Sequence, residues 1–152
     1  MGATIDDALL GFFIESKKDV MVEVAPKEKG DRGGIPVHAL GKLQVLEEFR
    51  LPKTFDPTTV DVFNTNTFLV RANALRNTHI PWTFFEVEKK VDGKVAIQFE
   101  RLLQEITSVL PSAFVRISRD GTASRFEPVK DLPELERRRP RMRAIAKARG
   151  FA

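Results

Sequence analysis

The 152-residue chain contains no cysteine, which excludes a disulfide scaffold, a cysteine-ligated zinc site and thiol redox chemistry, and makes a reducing cytoplasm the expected compartment. Histidine is scarce. His38 and His79 stand far apart with no spaced carboxylate to complete a metal set, so no metal site is expected from these residues. Long hydrophobic runs are missing too: Ala8 to Ile14 and Thr67 to Val70 fall far short of the roughly 20 residues that cross a bilayer. The segment Met1 to Asp7 carries acidic residues where a secretory leader would be basic, which argues against export. There is no Gly-x-Ser-x-Gly elbow, no His-Glu-x-x-His and no Walker-type phosphate loop. No aromatic residues interleave the basic C-terminal run and no RNP-type motif occurs, which speaks against single-stranded nucleic acid as a partner.

What is present suffices for one ordinary core and a well-solvated surface, with 42% hydrophobic and 30% charged residues. The formal charge is +4, and the excess sits between Arg137 and Arg149. That run reads as the solvated face of a helix rather than a nucleic-acid site. Residues 132–152 are therefore set apart as a basic helical tail behind a domain of residues 1–131.

Along the chain, Asp6 to Ser16 is expected to be an amphipathic helix capped by Thr4 or Asp6. Val20 to Ala25 reads as a buried strand, and Lys27 to Gly34 as a charged, glycine-rich loop. Pro36 to Leu40 and Lys42 to Arg50 form a hairpin about Gly41. Val60 to Phe63 is a strand running into Asn64-Thr65-Asn66-Thr67, before a helix from Phe68 to Arg76. A second hairpin turns at Asp92-Gly93. A helix is expected from Phe99 to Leu110, a strand from Ala113 to Ser118, and a final helix from Leu132, interrupted at Pro140. Hairpins break the alternation of strands and helices, which predicts an α/β domain with a mixed, mostly parallel sheet flanked by helices. In such sheets ligands collect beyond strand ends.

Four features of the residues could carry chemistry. Gly33-Gly34 would let backbone approach a ligand closely, although a surface loop also explains a glycine pair. Asn64 and Asn66 either cap the following helix or present amides to hydroxyl groups. Glu47, beside apolar Val45 and Leu46, is either a sheet-surface residue or an acceptor for sugar hydroxyls. Lys130, held by Pro128, is either solvated or a point charge for phosphate.

Taken in order, Val22-Glu23-Val24 before a loop ending Gly33-Gly34, Lys42 to Glu47, Phe63-Asn64-Thr65-Asn66-Thr67, Ala96 to Glu100 and Ser124-Arg125-Phe126-Glu127-Pro128-Val129-Lys130 resemble the UDP-glucose pyrophosphorylase family. The resemblance covers about Met1 to Lys130, and Gly2-Ala3-Thr4 is similar to the tail of the family's Ser-Asp-Asn-Leu-Gly-Ala motif. It implies a Rossmann-like nucleotidyltransferase fold of GT-A type, incomplete at its N-terminal side. The glycine-rich nucleotide loop, phosphate-contacting lysine, Gly-His-Gly segment and metal-holding aspartate of the family would lie upstream.

The implied reaction is magnesium-dependent attack of glucose 1-phosphate on the α-phosphorus of UTP, giving UDP-glucose and pyrophosphate, and Mg2+ would be held mainly by residues outside this chain. Carried over, Lys130 would be catalytic against the phosphates. Asn66 with Asn64 behind it, Glu47, Gly33 and Gly34 would bind the sugar. A chain without the nucleotide loop is expected not to turn over, and its uncovered sheet edge to favour self-association. Two alternatives stay open: a UDP-N-acetylhexosamine pyrophosphorylase, and an inactive relative binding a partner through Arg137 to Arg149.

Overall fold

The computed structural model describes residues 3–28 and 30–151, so the Gly2 of the Gly2-Ala3-Thr4 resemblance lies outside them. In chain order the elements are α1 (Asp7–Glu15), β1 (Val20–Pro26), β2 (Ile35–Ala39), β3 (Lys42–Leu46), β4 (Val62–Val70) and α2 (Ala72–Asn77). They continue with β5 (Phe85–Val91), β6 (Lys94–Glu100), α3 (Ile106–Val109), β7 (Ser112–Arg116) and α4 (Leu132–Ala148). Among these, no helix is long and apolar enough to cross a membrane.

The organising element is β1, whose Val20, Met21 and Val22 are fully buried because the strand is covered on both faces. Alternation along it feeds two cores. Val20, Val22 and Val24 pack with Val45, Ile80, Ile106 and Leu110, while Ala25 joins Ile35, Val37, Phe63 and Ile117. Burying a side chain of this size contributes about 1.5–3 kcal/mol.

The α/β reading with a mixed sheet holds, but the sheet is not mostly parallel. Its order is β4-β1-β7, with β1 parallel to β7 and antiparallel to β4. The pairs β2-β3 and β5-β6 are antiparallel hairpins. The short turns inside each hairpin permit only antiparallel pairing, whereas the parallel pair of β1 and β7 is joined through a long connection.

At its N-terminus α1 is capped by Asp6, whose carboxylate accepts the Leu9 N–H at 3.0 Å. The helix expected from Phe68 to Arg76 forms only from Ala72 to Asn77, and its first residues are instead strand. Phe68, Leu69 and Val70 pair with Val22, Met21 and Val20, since the buried sheet supplies cross-strand apolar partners that a helix there would lack. Asn64-Thr65-Asn66 therefore lies inside β4 rather than at its end. Similarly, β3 stops at Leu46 and a 3-10 turn, Glu48–Arg50, follows, so Glu47 sits just past the strand. The hairpin ladder takes Phe99 and Glu100, and the helix expected there shrinks to a 3-10 turn, Leu103–Glu105, followed by α3.

Pro140 does not interrupt α4. Asp131 caps its start by accepting the Glu134 N–H at 2.7 Å. The buried Glu127 holds Arg138 at 3.1 Å and Arg141 at 2.8 Å, on either side of the proline, which offsets the missing backbone bond. At the far end Arg149 donates to the Ser124 carbonyl at 2.7 Å. Arg138, Arg141 and Arg149 are thus engaged outside the helix, while Arg137, Arg139, Arg143 and Lys147 stay exposed on its solvated face.

Candidate functional site

Three stretches far apart in sequence meet at Gly34. Its carbonyl accepts the Asn64 N–H at 2.7 Å, and its own N–H donates to the Glu47 carboxylate. A Cβ at this position would stand 2.6 Å from Val45 Cγ1 and 3.1 Å from Glu47 Oε1, so only glycine lets the loop lie this close to the end of β3. At Gly33 an added Cβ would come within 3.3 Å of the Phe63 ring. The structure thereby brings together Gly33, Gly34, Glu47 and Asn64.

Asn66 joins them through Asn64. Between Val22↔Phe68 and Val24↔Asn64 the register of β4 shifts against β1, and in this bulge Asn66 takes φ +60°, a region asparagine tolerates better than most residues. The Asn66 N–H donates to Asn64 Oδ1 at 3.0 Å, and Asn64 Nδ2 donates to Asn66 Oδ1 at 2.9 Å. Asn64 is buried and Asn66 exposed, so the inner amide braces the outer one. Thr65 points the other way, donating to the Glu23 carbonyl at 2.9 Å.

Two residues that sequence reasoning passed over complete the frame. Gln104 donates to Glu47 Oε1. Arg119 is buried and clamps the loop ahead of Gly33, bonding the Pro26 carbonyl at 2.7 Å, pairing with the Asp31 carboxylate and reaching Glu28 at 3.3 Å. Its guanidinium also lies over the rings of Phe63 and Phe126, at 5.6 and 5.3 Å. An arginine so placed fixes the path of a charged loop that has little core of its own.

Lys130 is exposed, and among the described residues no hydrogen bond or ion pair links it to the Gly34 group. Its segment is nevertheless tied to the same sheet. Arg125 pairs with Glu23 at 2.6 Å, and Phe126 meets Phe63 edge to face at 5.4 Å. The Lys130 N–H donates to Glu134 at 2.9 Å. That bond first, with Arg138 and Arg137 adding to it, holds the Glu134 carboxyl below its ordinary range.

Glu47 shows the opposite shift. Burial raises its pKa above the ordinary 4.5, only partly offset by the hydrogen bonds from Gln104 and Gly34, and Glu48 raises it further. The folded protein therefore binds this proton more tightly than the unfolded chain. Its contribution is most favourable in acid and falls as pH rises from about 4.5 through the raised value. In Glu47→Gln that component should vanish, so urea midpoints of wild type and variant measured between pH 4 and pH 8 should move apart in the variant's favour as pH rises. Parallel curves would contradict the shift.

Magnesium does not fit these residues. Among the described residues no group of three or more His, Asp or Glu side chains comes together to hold a metal ion, and His38 and His79 are exposed. A cavity of about 370 Å³ opens beside β3, lined by Gln44, Arg50, Thr83 and Glu105 among others, but none of the expected site residues lines it.

The fold of the chain is similar to that of solved UDP-glucose pyrophosphorylases. A mutant UDP-glucose pyrophosphorylase from Leishmania major, in complex with UDP-glucose, superposes with a TM-score of 0.64 at 25% identity, over 88% of this chain and 34% of that one. A further UDP-glucose pyrophosphorylase structure from the same organism gives 0.62 at 26% identity. The family model described as UTP--glucose-1-phosphate uridylyltransferase matches residues 1–137, and the chain belongs to that family. Curated relatives include the UTP--glucose-1-phosphate uridylyltransferases of Pyrus pyrifolia, 28% identical, and Musa acuminata, 29% identical, each over 89% of this chain. The chain spans 30% of the length of either relative.

Proposed function

We propose that the chain is the sugar-side part of a GT-A-type uridylyltransferase that joins UTP to glucose 1-phosphate, in a cytoplasmic setting. The observation that carries this reading is the meeting at Gly34 of the glycine pair, Glu47 and the Asn64-Asn66 pair. One wall there offers a carboxylate acceptor and an exposed amide held by a buried one, set on a loop backbone that the glycines let pack close, which suits the vicinal hydroxyls of a hexose. Glu47 accepts hydrogen bonds from the sugar, Asn66 donates and accepts, and Gly33-Gly34, packed on Phe63 and Val45, hold the loop backbone beside it.

Phosphoryl-type transfer asks little proton chemistry of the protein and much positioning and charge neutralisation. Lys130 supplies a positive charge to the phosphates from a segment pinned by Arg125 and Phe126. A divalent cation of the Mg2+ kind would neutralise further charge when bound, held mainly by residues other than those described.

Isothermal titration calorimetry with glucose 1-phosphate, UDP-glucose and UTP, each with magnesium, tests the reading. Glucose 1-phosphate or UDP-glucose is expected to bind, and Lys130→Ala to weaken that binding by about 10–100-fold, as loss of a charge-assisted contact does. Binding unchanged in Lys130→Ala would remove the lysine from the site while leaving the sugar wall. No binding to a folded sample would overturn the proposal.

A further inference from the structure

The hairpin of β5 and β6 stands apart from both cores. Val95, Ile97 and Phe99 are exposed at 64%, 55% and 66%, and among the described residues β6 pairs only with β5, so its outer edge is open. Because alternate residues of a strand share a face, these three form one apolar stripe. Their direct partners on β5 are Lys90, Glu88 and Glu86, a charged row along the stripe's inner flank.

The turn fixes which backbone groups point outward. Asp92 and Gly93 both have positive φ, 50° and 76°, as a two-residue primed turn requires, and such a turn makes Val91 and Lys94 a hydrogen-bonded pair. Alternation then sends the N–H and C=O of Lys94, Ala96, Gln98 and Glu100 towards β5, and those of Val95, Ile97 and Phe99 towards the open edge. The residues that carry the stripe thus also carry the unpaired backbone groups.

We propose that β6 pairs antiparallel with β6 of a second copy of this chain, about a two-fold axis at Ile97. In that register Ile97 faces its own symmetry mate and Val95 faces Phe99 of the other copy, so every apolar residue meets an apolar one and the outward backbone groups of all three exchange hydrogen bonds. On the other face Lys94 falls opposite Glu100 of the second copy, twice by symmetry, giving two pairs of opposite charge. Shifting the register by one residue would set these outward backbone groups against residues whose own groups point to β5, and shifting it by two would leave Val95 opposite Arg101 or Phe99 opposite Gly93. The four-stranded sheet that results has an apolar centre, with Glu86, Glu88 and Lys90 at either margin, the arrangement of a core and a polar rim. Edge strands avoid this pairing through inward charges, prolines or bulges, and β6 has none of these between Val95 and Phe99. This proposal stands independently of the sugar-binding reading.

Sedimentation equilibrium tests it. The wild-type mass should rise from 17.2 kDa towards twice that with concentration. Ile97→Lys, which places like charges on the axis at an exposed position, and Lys94→Glu, which opposes two carboxylates, should both keep the monomer mass while retaining the wild-type circular dichroism spectrum. Since the chain lacks cysteine, Ile97→Cys should be joined into a dimer by a short bis-maleimide. Asp92→Cys, whose symmetry mate would lie about 33 Å away at 3.3 Å per residue, should not. A wild type that stays monomeric at all concentrations, or a dimer indifferent to both charge variants, would overturn the proposal.

Discussion

Replacing Arg125 with methionine is expected to lower stability by about 3–5 kcal/mol, the cost of leaving a buried charge without its partner. Glu23 is 1% exposed and lies in the middle of the central strand, held by Arg125 through both carboxylate oxygens, at 2.6 and 3.1 Å. Arg125 also reaches the Thr4 carbonyl at 2.9 Å, so one guanidinium joins the N-terminal segment, β1 and the approach to Lys130. Against a total stability of roughly 5–15 kcal/mol for a domain, the loss leaves a substantial unfolded fraction at physiological temperature.

Urea unfolding of wild type, Arg125→Met, Glu23→Leu and the double variant closes a cycle. The double variant, with both charges replaced by apolar groups, should recover most of the loss, because paired apolar replacements of buried ion pairs are often neutral. A single variant that loses less than about 1 kcal/mol would show the pair to be no better than a surface contact.

Glu23 also marks where sequence reasoning stopped short. A carboxylate inside Val20-Met21-Val22-Glu23-Val24-Ala25 signals a buried partner, since such groups are almost never interred alone, but nothing local says that the partner lies a hundred residues on, at Arg125. Local signals served well where the cause is local: the Asp6 cap of α1, the apolar run of β1, the Asp92-Gly93 turn and the start of α4 at Leu132. They failed where tertiary pairing decides. Phe68-Leu69-Val70 suits a helix as well as a strand until β1 offers partners, and the Asn64-Thr65-Asn66 bulge exists only because β4 continues past it. Pro140 reads as a break until Glu127 is seen gripping the helix on both sides.

Gly33, Gly34, Glu47, Asn64, Asn66 and Lys130 were legible as candidates chiefly through the family resemblance; the fold brings the first five together, and among the described residues no bond joins Lys130 to them. Gln104 and Arg119 were not legible. Their importance comes from what they touch, and neither residue type at its position is unusual in sequence.

Gly34→Ala should be destabilising by about 1–3 kcal/mol, the range for forcing atoms into a packed interior, and should abolish sugar binding even in the fraction that folds. The new methyl would lie 2.6 Å from Val45 Cγ1, far inside contact, and Val45 is itself buried against Val22 and Ile106 and cannot swing aside. Relief must come from the loop backing away, which lengthens both the Gly34 N–H bond to Glu47 and the Asn64 N–H bond to the Gly34 carbonyl, and so dismantles the wall at its meeting point. The contrast with Gly11 makes the cause testable. In α1 an added Cβ at Gly11 meets nothing within 4 Å, so Gly11→Ala should instead stabilise by about 0.5–1 kcal/mol, the usual gain from alanine over glycine in a helix. Thermal melts of the two variants should therefore shift in opposite directions from wild type, and calorimetry should find UDP-glucose binding kept in Gly11→Ala and lost in Gly34→Ala. Equal stability and unimpaired binding in Gly34→Ala would mean that β3 yields to the loop, and that the close approach at Gly34 is not what shapes the sugar wall.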